Sequence, residues 1–380
     1  MPKNSRPTLT TGQGFSAAPD SEREGRVSGH VLKALRRAVG HTQESLAERI
    51  GVDVSTLQGW ESGRRPLMAV STGQYFRLRH LLHRLGAAPR LLTQLDTALE
   101  ADRFLGYVLG AGRTVDLESH PLATWVITRP FTDLVAWPFI GVAPAVLAET
   151  GSSVRRGPTG SGPELAADER QHISAHLRAA AEQASRDTVK GSLLRRQAHY
   201  VTGFDTSAET AEWLAVMQGA EKRRLRAAAE WSPSWAVVRS GAHSLARKGD
   251  TEALPEFIDA HVSTDACETA NLNYWAYWLG EVADPQLADT FMVELDVDAW
   301  RGDRMLNHLT GKLDPANPYV DIVVHSLWAL IIRKPGLLDD RNAASTTPIV
   351  LRLLDEGTVS QRSRRELEAV LYALRMAQRR

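Results

Sequence analysis

Asp53, Ser55, Thr56 and Gln58 crowd short polar side chains into one stretch, and Arg64 and Arg65 follow it closely. The chemistry open to such a set is recognition rather than bond breaking. Hydroxyls and amides can read the edges of flat hydrogen-bonding surfaces, and guanidinium forks can grip phosphate oxygens. Two elements must position them. Leu46, Ala47 and Ile50 give one apolar helix face, Gly51 breaks that helix, and Val54, Leu57 and Trp60 supply apolar positions on a second. Two short helices joined so abruptly cannot both lie flat on a core, so one is presented outward. Its size and polarity suit a major groove.

Charge placement agrees. The chain has 45 basic and 45 acidic residues, so its net charge is zero. Between Arg26 and Arg90, eleven Lys/Arg face four acids, a local excess of +7 that the remainder must balance with −7. A basic module on an acidic body is the asymmetry expected when only the module meets phosphates.

Other chemistries find little support. No Gly-x-x-x-x-Gly-Lys-[Ser/Thr] loop and no Gly-x-Ser-x-Gly elbow occur, and no catalytic constellation stands out after residue 160, so an enzyme and a bound cofactor are not expected. The single cysteine, Cys267, excludes an internal disulfide and has no basic sequence neighbour to activate it. Glu169, His172 and His176 share helical spacing, but on an Ala/Arg-rich surface they read as solvated side chains, and no metal is expected. Met1–Asp20 is polar, without the apolar run of a secretory leader. The most apolar stretch, 130–147, is broken by Asp133 and by prolines 130, 138 and 144, unlike a membrane span. A cytoplasmic, nucleoid-associated protein is expected.

Periodicity predicts helices almost throughout. Ser28 is read as the cap of a first helix over 29–39, and Thr42 as the cap of a second. A fourth is expected over 71–85 and a fifth over 91–109. Residues 110–163 read as irregular, with 124–127 extended and 152–162 of linker composition. Ser161 and Glu164 suggest a capping box. Helices are then expected at about 164–186, 188–202, 207–229, 233–248, 250–262, 269–282, 285–293, 318–333, 345–356 and 360–378. Tyr274, Trp275, Tyr277 and Trp278, with Trp300 and Trp328, are core aromatics or else a ligand pocket with Asn271, Asn273 and His325 as polar anchors.

Gln43, Leu46, Ala47, Gly51, Trp60, Glu61 and Gly63, with Pro66 beyond, place residues 29–66 in register with a known pattern: the segment resembles the Xre/Cro/λ-repressor (HTH_3-like) family of helix-turn-helix regulators. The resemblance covers about sixty residues. It implies that Gln43 reaches a backbone phosphate and that Asp53–Glu61 is the recognition helix. Val54 and Ser55 would face base edges, with Gly59 one turn later. Thr56 would lie at a phosphate, Arg64 and Arg65 would contact the backbone, and Gln58 would share in readout. Val54 can offer only apolar contact and Gly59 none, so direct readout is thin and DNA shape must supply part of the specificity.

The expected fold is all-α: a five-helix λ-repressor-like domain, then a larger helical bundle or α-α repeat-like region. The expected division is a disordered tail at 1–25, the DNA-binding domain at 26–90, a connecting region at 91–160, and a dimerisation and effector domain at 161–380. The function expected is a dimeric transcriptional regulator, by default a repressor, on palindromic double-stranded DNA, with a small molecule or peptide as candidate effector. The alternative is a protein-interaction hub that the small module localises to DNA.

Overall fold

The computed structural model describes residues 25–111, 115–148, 162–225, 231–262 and 264–378. Among these there are eighteen α-helices and no strand. The first five are α1 (Arg26–Ala38), α2 (Gln43–Ile50), α3 (Val54–Ser62), α4 (Thr72–Arg84) and α5 (Pro89–Gly110). Next come α6 (Arg129–Ile140), α7 (Ala145–Ala148), α8 (Ala167–Gln183), α9 (Val189–Thr202) and α10 (Ala208–Leu225). Then follow α11 (Pro233–Arg247), α12 (Ala253–His261), α13 (Asp265–Trp278), α14 (Phe291–Glu294) and α15 (Asp303–Thr310). The chain ends with α16 (Val320–Arg333), α17 (Asp340–Glu356) and α18 (Gln361–Ala377).

The head is α1 to α5. Val27, Val31, Leu32 and Leu35 form the buried stripe of α1 against Leu46, Leu57 and Leu78. α1 begins three residues earlier than its sequence signal suggests, so Ser28 lies buried inside the helix rather than at its cap. The amides of Val27 and Ser28 instead donate to the Asp102 carboxylate on α5, each at 2.9 Å. A partner from a distant helix does the work that a local cap would have done. α5 therefore belongs to the head, and the expected boundary at residue 90 falls at its first turn.

The trunk begins with α6. Pro130 sits in its first turn, where no intrahelical N–H is needed, and Pro138 lies near its end. These prolines disguise a helix within a stretch whose sequence reads as irregular. The stretch read as extended, 124–127, forms no strand: the Val126 N–H donates to the Gln286 carbonyl (2.7 Å) and the Ile127 N–H to Gln197 Oε1 (2.6 Å). The helix expected at 285–293 shrinks to α14, because the segment before it is pulled into tertiary bonds, including Asp289 to Arg196. α15 lies where no helix was expected. Beyond these, α8–α9–α11 and α10–α11 pack side by side, and α16, α17 and α18 close the chain. The expected tail at 1–25 lies outside the described residues except Gly25, and the linker stretch at 152–162 except Gly162.

The head is docked firmly on the trunk. Arg26 donates from both terminal nitrogens to Glu169 on α8 (2.8 and 2.9 Å) and again to the Glu164 carbonyl (2.9 Å). Glu169 also accepts the Ala166 N–H (2.8 Å) at the start of α8; Ser161 of the expected capping box lies outside the described residues. His172 contacts the Val108 carbonyl (3.1 Å) and His176 stacks on His120. Of the three residues read as solvated, His172 is exposed, whereas Glu169 and His176 are buried by these contacts.

Candidate nucleic-acid interface

α2 starts where Thr42 Oγ1 accepts the Ser45 N–H (3.1 Å) and ends at Gly51, whose φ of 79° turns the chain sharply into α3. A side chain there would be strained, so the tight angle between the helices depends on that glycine. On α3, Leu57, Trp60 and Glu61 face inward, while Ser55, Gln58 and Ser62 form an exposed polar stripe. Asp53 at its start is exposed, and Val54 and Thr56 are half-buried at its edge.

Beneath this stripe lies a network that sequence reasoning did not anticipate. Glu61 and Arg36 are both buried, and the guanidinium grips the carboxylate through Nε (2.5 Å) and Nη2 (3.0 Å). Arg36 Nη1 also donates to the His41 carbonyl (2.8 Å), tying α1 to the start of α2. The second carboxylate oxygen accepts the Gln43 amide at 2.7 Å, and the Gln43 carbonyl accepts Gln58 Nε2 at 3.4 Å. A chain of bonds thus runs from the core to two glutamines at the surface, one on each short helix. The Trp-Glu pair of the motif was the only sequence signal for it. Arg36 carried none, because its partner lies 25 residues away.

Arg65 explains Gly59. The arginine stem lies across α3, so that a Cβ at position 59 would meet Arg65 Cδ, Cγ and Cβ at 3.0 to 3.3 Å. Gly59 is buried under that stem, and it is Arg65 that occupies the surface there. Arg65 Nη1 donates to Thr56 Oγ1 (2.8 Å), which fixes the guanidinium beside the helix. Arg64 is exposed, with Nε on Ser62 Oγ (3.3 Å). The structure therefore brings Gln43, Ser55, Thr56, Gln58, Arg64 and Arg65 to one surface. Val54 and Asp53 lie at its edge, and Gly59 beneath it. A groove of about 450 Å³ separates the Gln43, Gln58 and Arg64 side of this surface from Gly162 and Glu164 of the trunk.

The basic excess is unevenly available. Arg26 and Arg36 are committed to Glu169 and Glu61, and Arg79 lies 3.2 Å from Asp96. Arg37, Arg49, Arg64, Arg65, Arg77 and Arg84 are exposed.

Two short helices at a glycine turn, a polar outward stripe on the second and exposed arginines beside it define a helix-turn-helix domain. Residues 32–70 match the family model HTH_3, described as Helix-turn-helix, so this segment is a helix-turn-helix domain of the Xre/Cro type. The match spans the latter part of α1, all of α2 and α3, and the turn that follows. No curated protein and no solved structure matches the chain. Among the described residues no helix is long and apolar enough to cross a membrane.

Proposed function

We propose that this protein is a sequence-specific transcriptional regulator that binds duplex DNA as a homodimer and acts by default as a repressor, without enzymatic activity. The observation that carries the reading is the α3 surface. Ser55 and Gln58 point outward, Arg64 and Arg65 flank them, and the buried Arg36–Glu61–Gln43 network holds the two short helices in register. α3 would enter the major groove while the arginines and Gln43 meet the phosphates on either side. Pairing is part of the proposal because α3 presents few side chains to the bases. Two such helices about one DNA turn apart on a palindrome supply the missing contact area. Occlusion of a promoter then follows from occupancy alone.

The test is binding of labelled genomic fragments over a series of salt concentrations. Steep weakening with salt is expected, and Arg64→Ala with Arg65→Ala should flatten the log–log slope by about two units. An unchanged slope removes these arginines from the phosphates. A chain that stays monomeric at micromolar concentration, with and without DNA, defeats the dimer. A promoter fusion whose expression is unaffected by the protein's presence defeats the repressor.

A further inference from the structure

Arg239, His243 and Arg247 recur every fourth residue on α11 and so share one face. That face borders a partly open cavity of about 230 Å³ in the trunk, lined on its other sides by α6, α9, α13 and the segment joining α15 to α16. Arg129 and Lys312 add two more cations to its lining, and Asp133 is its single carboxylate. Asp133 is already shared, lying 3.5 Å from Arg129.

The fold pairs its other buried arginines directly. Arg195 is bonded to Glu221, and Arg196 donates to both oxygens of Asp289 (2.8 and 2.9 Å). Arg239 and Arg247 are treated differently. Arg239 is 4% exposed, yet among the described residues it meets no carboxylate. Its Nε donates to Asn271 Oδ1 (3.1 Å), its Nη2 has no hydrogen-bond partner, and its plane rests over the Tyr274 ring at 4.3 Å. Arg247 bonds the Tyr319 hydroxyl (3.3 Å) and lies over Phe204 (4.0 Å), and its buried Nη1 is likewise unpartnered. Burial pulls the Arg239 guanidinium down to about 10, which still leaves it charged at neutral pH. His243 is held near 3 by burial and the neighbouring Arg239, so it is neutral and adds no charge. Buried cations without counter-charge are disfavoured unless something brings the charge in.

The walls say what else the visitor carries. Tyr274 and Trp278 stack with centroids 5.9 Å apart, and Tyr319 stacks on His243. The Trp275 indole N–H is also buried without an acceptor. Flat apolar faces, unsatisfied donors and excess positive charge thus converge on one space. The cavity is smaller than the ~300–1,000 Å³ of typical ligand sites, so a single-ring molecule fits better than a dinucleotide.

We propose that this cavity binds a small organic anion, a carboxylate or phosphate attached to one aromatic ring, with Arg239 and Arg247 taking the anion and the Tyr274, Trp275 and Trp278 side chains flanking the ring. Asn271, Asn273 and His325, the polar anchors read from the sequence, serve elsewhere. Asn271 orients Arg239, Asn273 bonds the Met292 and Leu295 carbonyls, and His325 pairs with Glu366. The site stands independently of the DNA-binding reading. Only its consequence rests on that reading. α6 carries Arg129 and Asp133 at the cavity and, one turn on, Trp137, whose ring lies 5.8 Å from that of His30 on α1. An anion that draws Arg129 inward therefore pulls on the helix that supports α3.

The experiment is titration calorimetry and thermal shift on the full chain with benzoate, indole-3-acetate, phenyl phosphate, uncharged benzamide and inorganic phosphate. A ring-bearing anion is expected to bind at least tenfold more tightly than benzamide or inorganic phosphate, and the carboxylate and phosphate arms identify the head group. Arg239→Gln should weaken that binding tenfold or more without lowering the melting temperature of the ligand-free chain. Should this variant fail to fold, Lys312→Gln at the exposed rim should still weaken binding several-fold. The proposal is overturned if no aromatic anion binds at millimolar concentration, if benzamide binds equally well, or if the folded arginine or lysine variant binds as wild type does. A full chain that binds the aromatic anion but no duplex DNA refutes the DNA reading and leaves the site standing.

Discussion

Gly59→Ala separates folding from binding in the head. In the middle of α3, alanine is favoured over glycine by ~1 kcal/mol. Against that, the new methyl meets the Arg65 stem at 3.0 to 3.3 Å. The stem must swing aside, at a cost of about 0.5–1.5 kcal/mol if it leaves a staggered rotamer. Its exposed bond to Thr56 (2.8 Å) goes too, which adds a fraction of the ~1 kcal/mol typical of a hydrogen bond. These effects nearly cancel, so the melting temperature should stay close to wild type. DNA binding has no such compensation, because the displaced guanidinium no longer sits beside the N-terminal half of α3. Losing one phosphate contact lowers the salt slope by roughly 0.9, which corresponds to roughly eightfold weaker binding at 0.1 M salt. Fluorescence anisotropy with a labelled random-sequence duplex over a salt series measures both, and a thermal melt confirms the fold. A stable variant with unchanged slope and affinity would refute the role given to Arg65. A large drop in melting temperature would instead make Gly59 a requirement of the fold.

Three further outcomes are expected. Glu61→Gln strands the buried Arg36 charge and should cost about 3–5 kcal/mol in a denaturation experiment; the double change Arg36→Met with Glu61→Leu should be milder than Glu61→Gln alone, and equal damage would argue against a desolvated pair. Ser55→Ala and Gln58→Ala should shift the preferred sequence in a selection from random duplexes, each contact carrying about 1–3 kcal/mol of discrimination, while leaving the salt slope alone. Unaltered preferences in both variants would mean that neither side chain reads a base. His120, His199 and His243 are buried and held near 3, below the usual 6.5, so the folded state favours their neutral form. Their contribution is complete above about pH 6.5 and lost as pH falls toward 3, roughly 6 kcal/mol in all by pH 5. Circular dichroism should therefore show helix loss above pH 4, and a chain with its full melting temperature at pH 4 contradicts this.

What the sequence made legible follows how local each signal was. Gly51, Thr42 and the apolar spacing of Leu46, Ala47, Leu57 and Trp60 act within one or two helical turns, and α2 and α3 lie where these residues place them. The exposed residues of α3 follow from the same spacing. Non-local satisfaction was hidden. Asp102 caps α1 from α5, Glu61 neutralises Arg36 from the far end of α3, and Gly59 is explained only by an arginine that folds back over it. α6 was hidden differently: Pro130 and Pro138 usually mark breaks, yet Pro130 falls in the first turn, where a missing N–H costs nothing, and Pro138 removes one intrahelical bond only two residues before the helix ends. The cavity lay halfway between these cases. Its aromatic wall on α13 was visible, but the periodic Arg239, His243 and Arg247 on α11 gained meaning only when packing set them against it.

That packing alters what kind of regulator is being proposed. A reader module on a flexible tether finds its half-sites independently of the body that carries it. Here α1 is tied to α8 through Arg26 and Glu169, to α6 through His30 and Trp137, and to α5 through Asp102. α5 in turn packs on α6 and α8, and one apolar core continues from Val27 to Leu374. The direction in which α3 points is consequently fixed relative to the trunk. In the proposed dimer, the separation of the two recognition helices is then set by how trunk meets trunk, and a change of one helix in the trunk becomes a change in half-site spacing. α6 is the element through which such a change would travel, since it borders both the cationic cavity and α1. Breaking Arg26 from Glu169 should loosen this relation, and an Arg26→Ala protein should tolerate operators of altered spacing that the intact one rejects. Equal intolerance in both would mean that the ion pair has no part in holding the head in place.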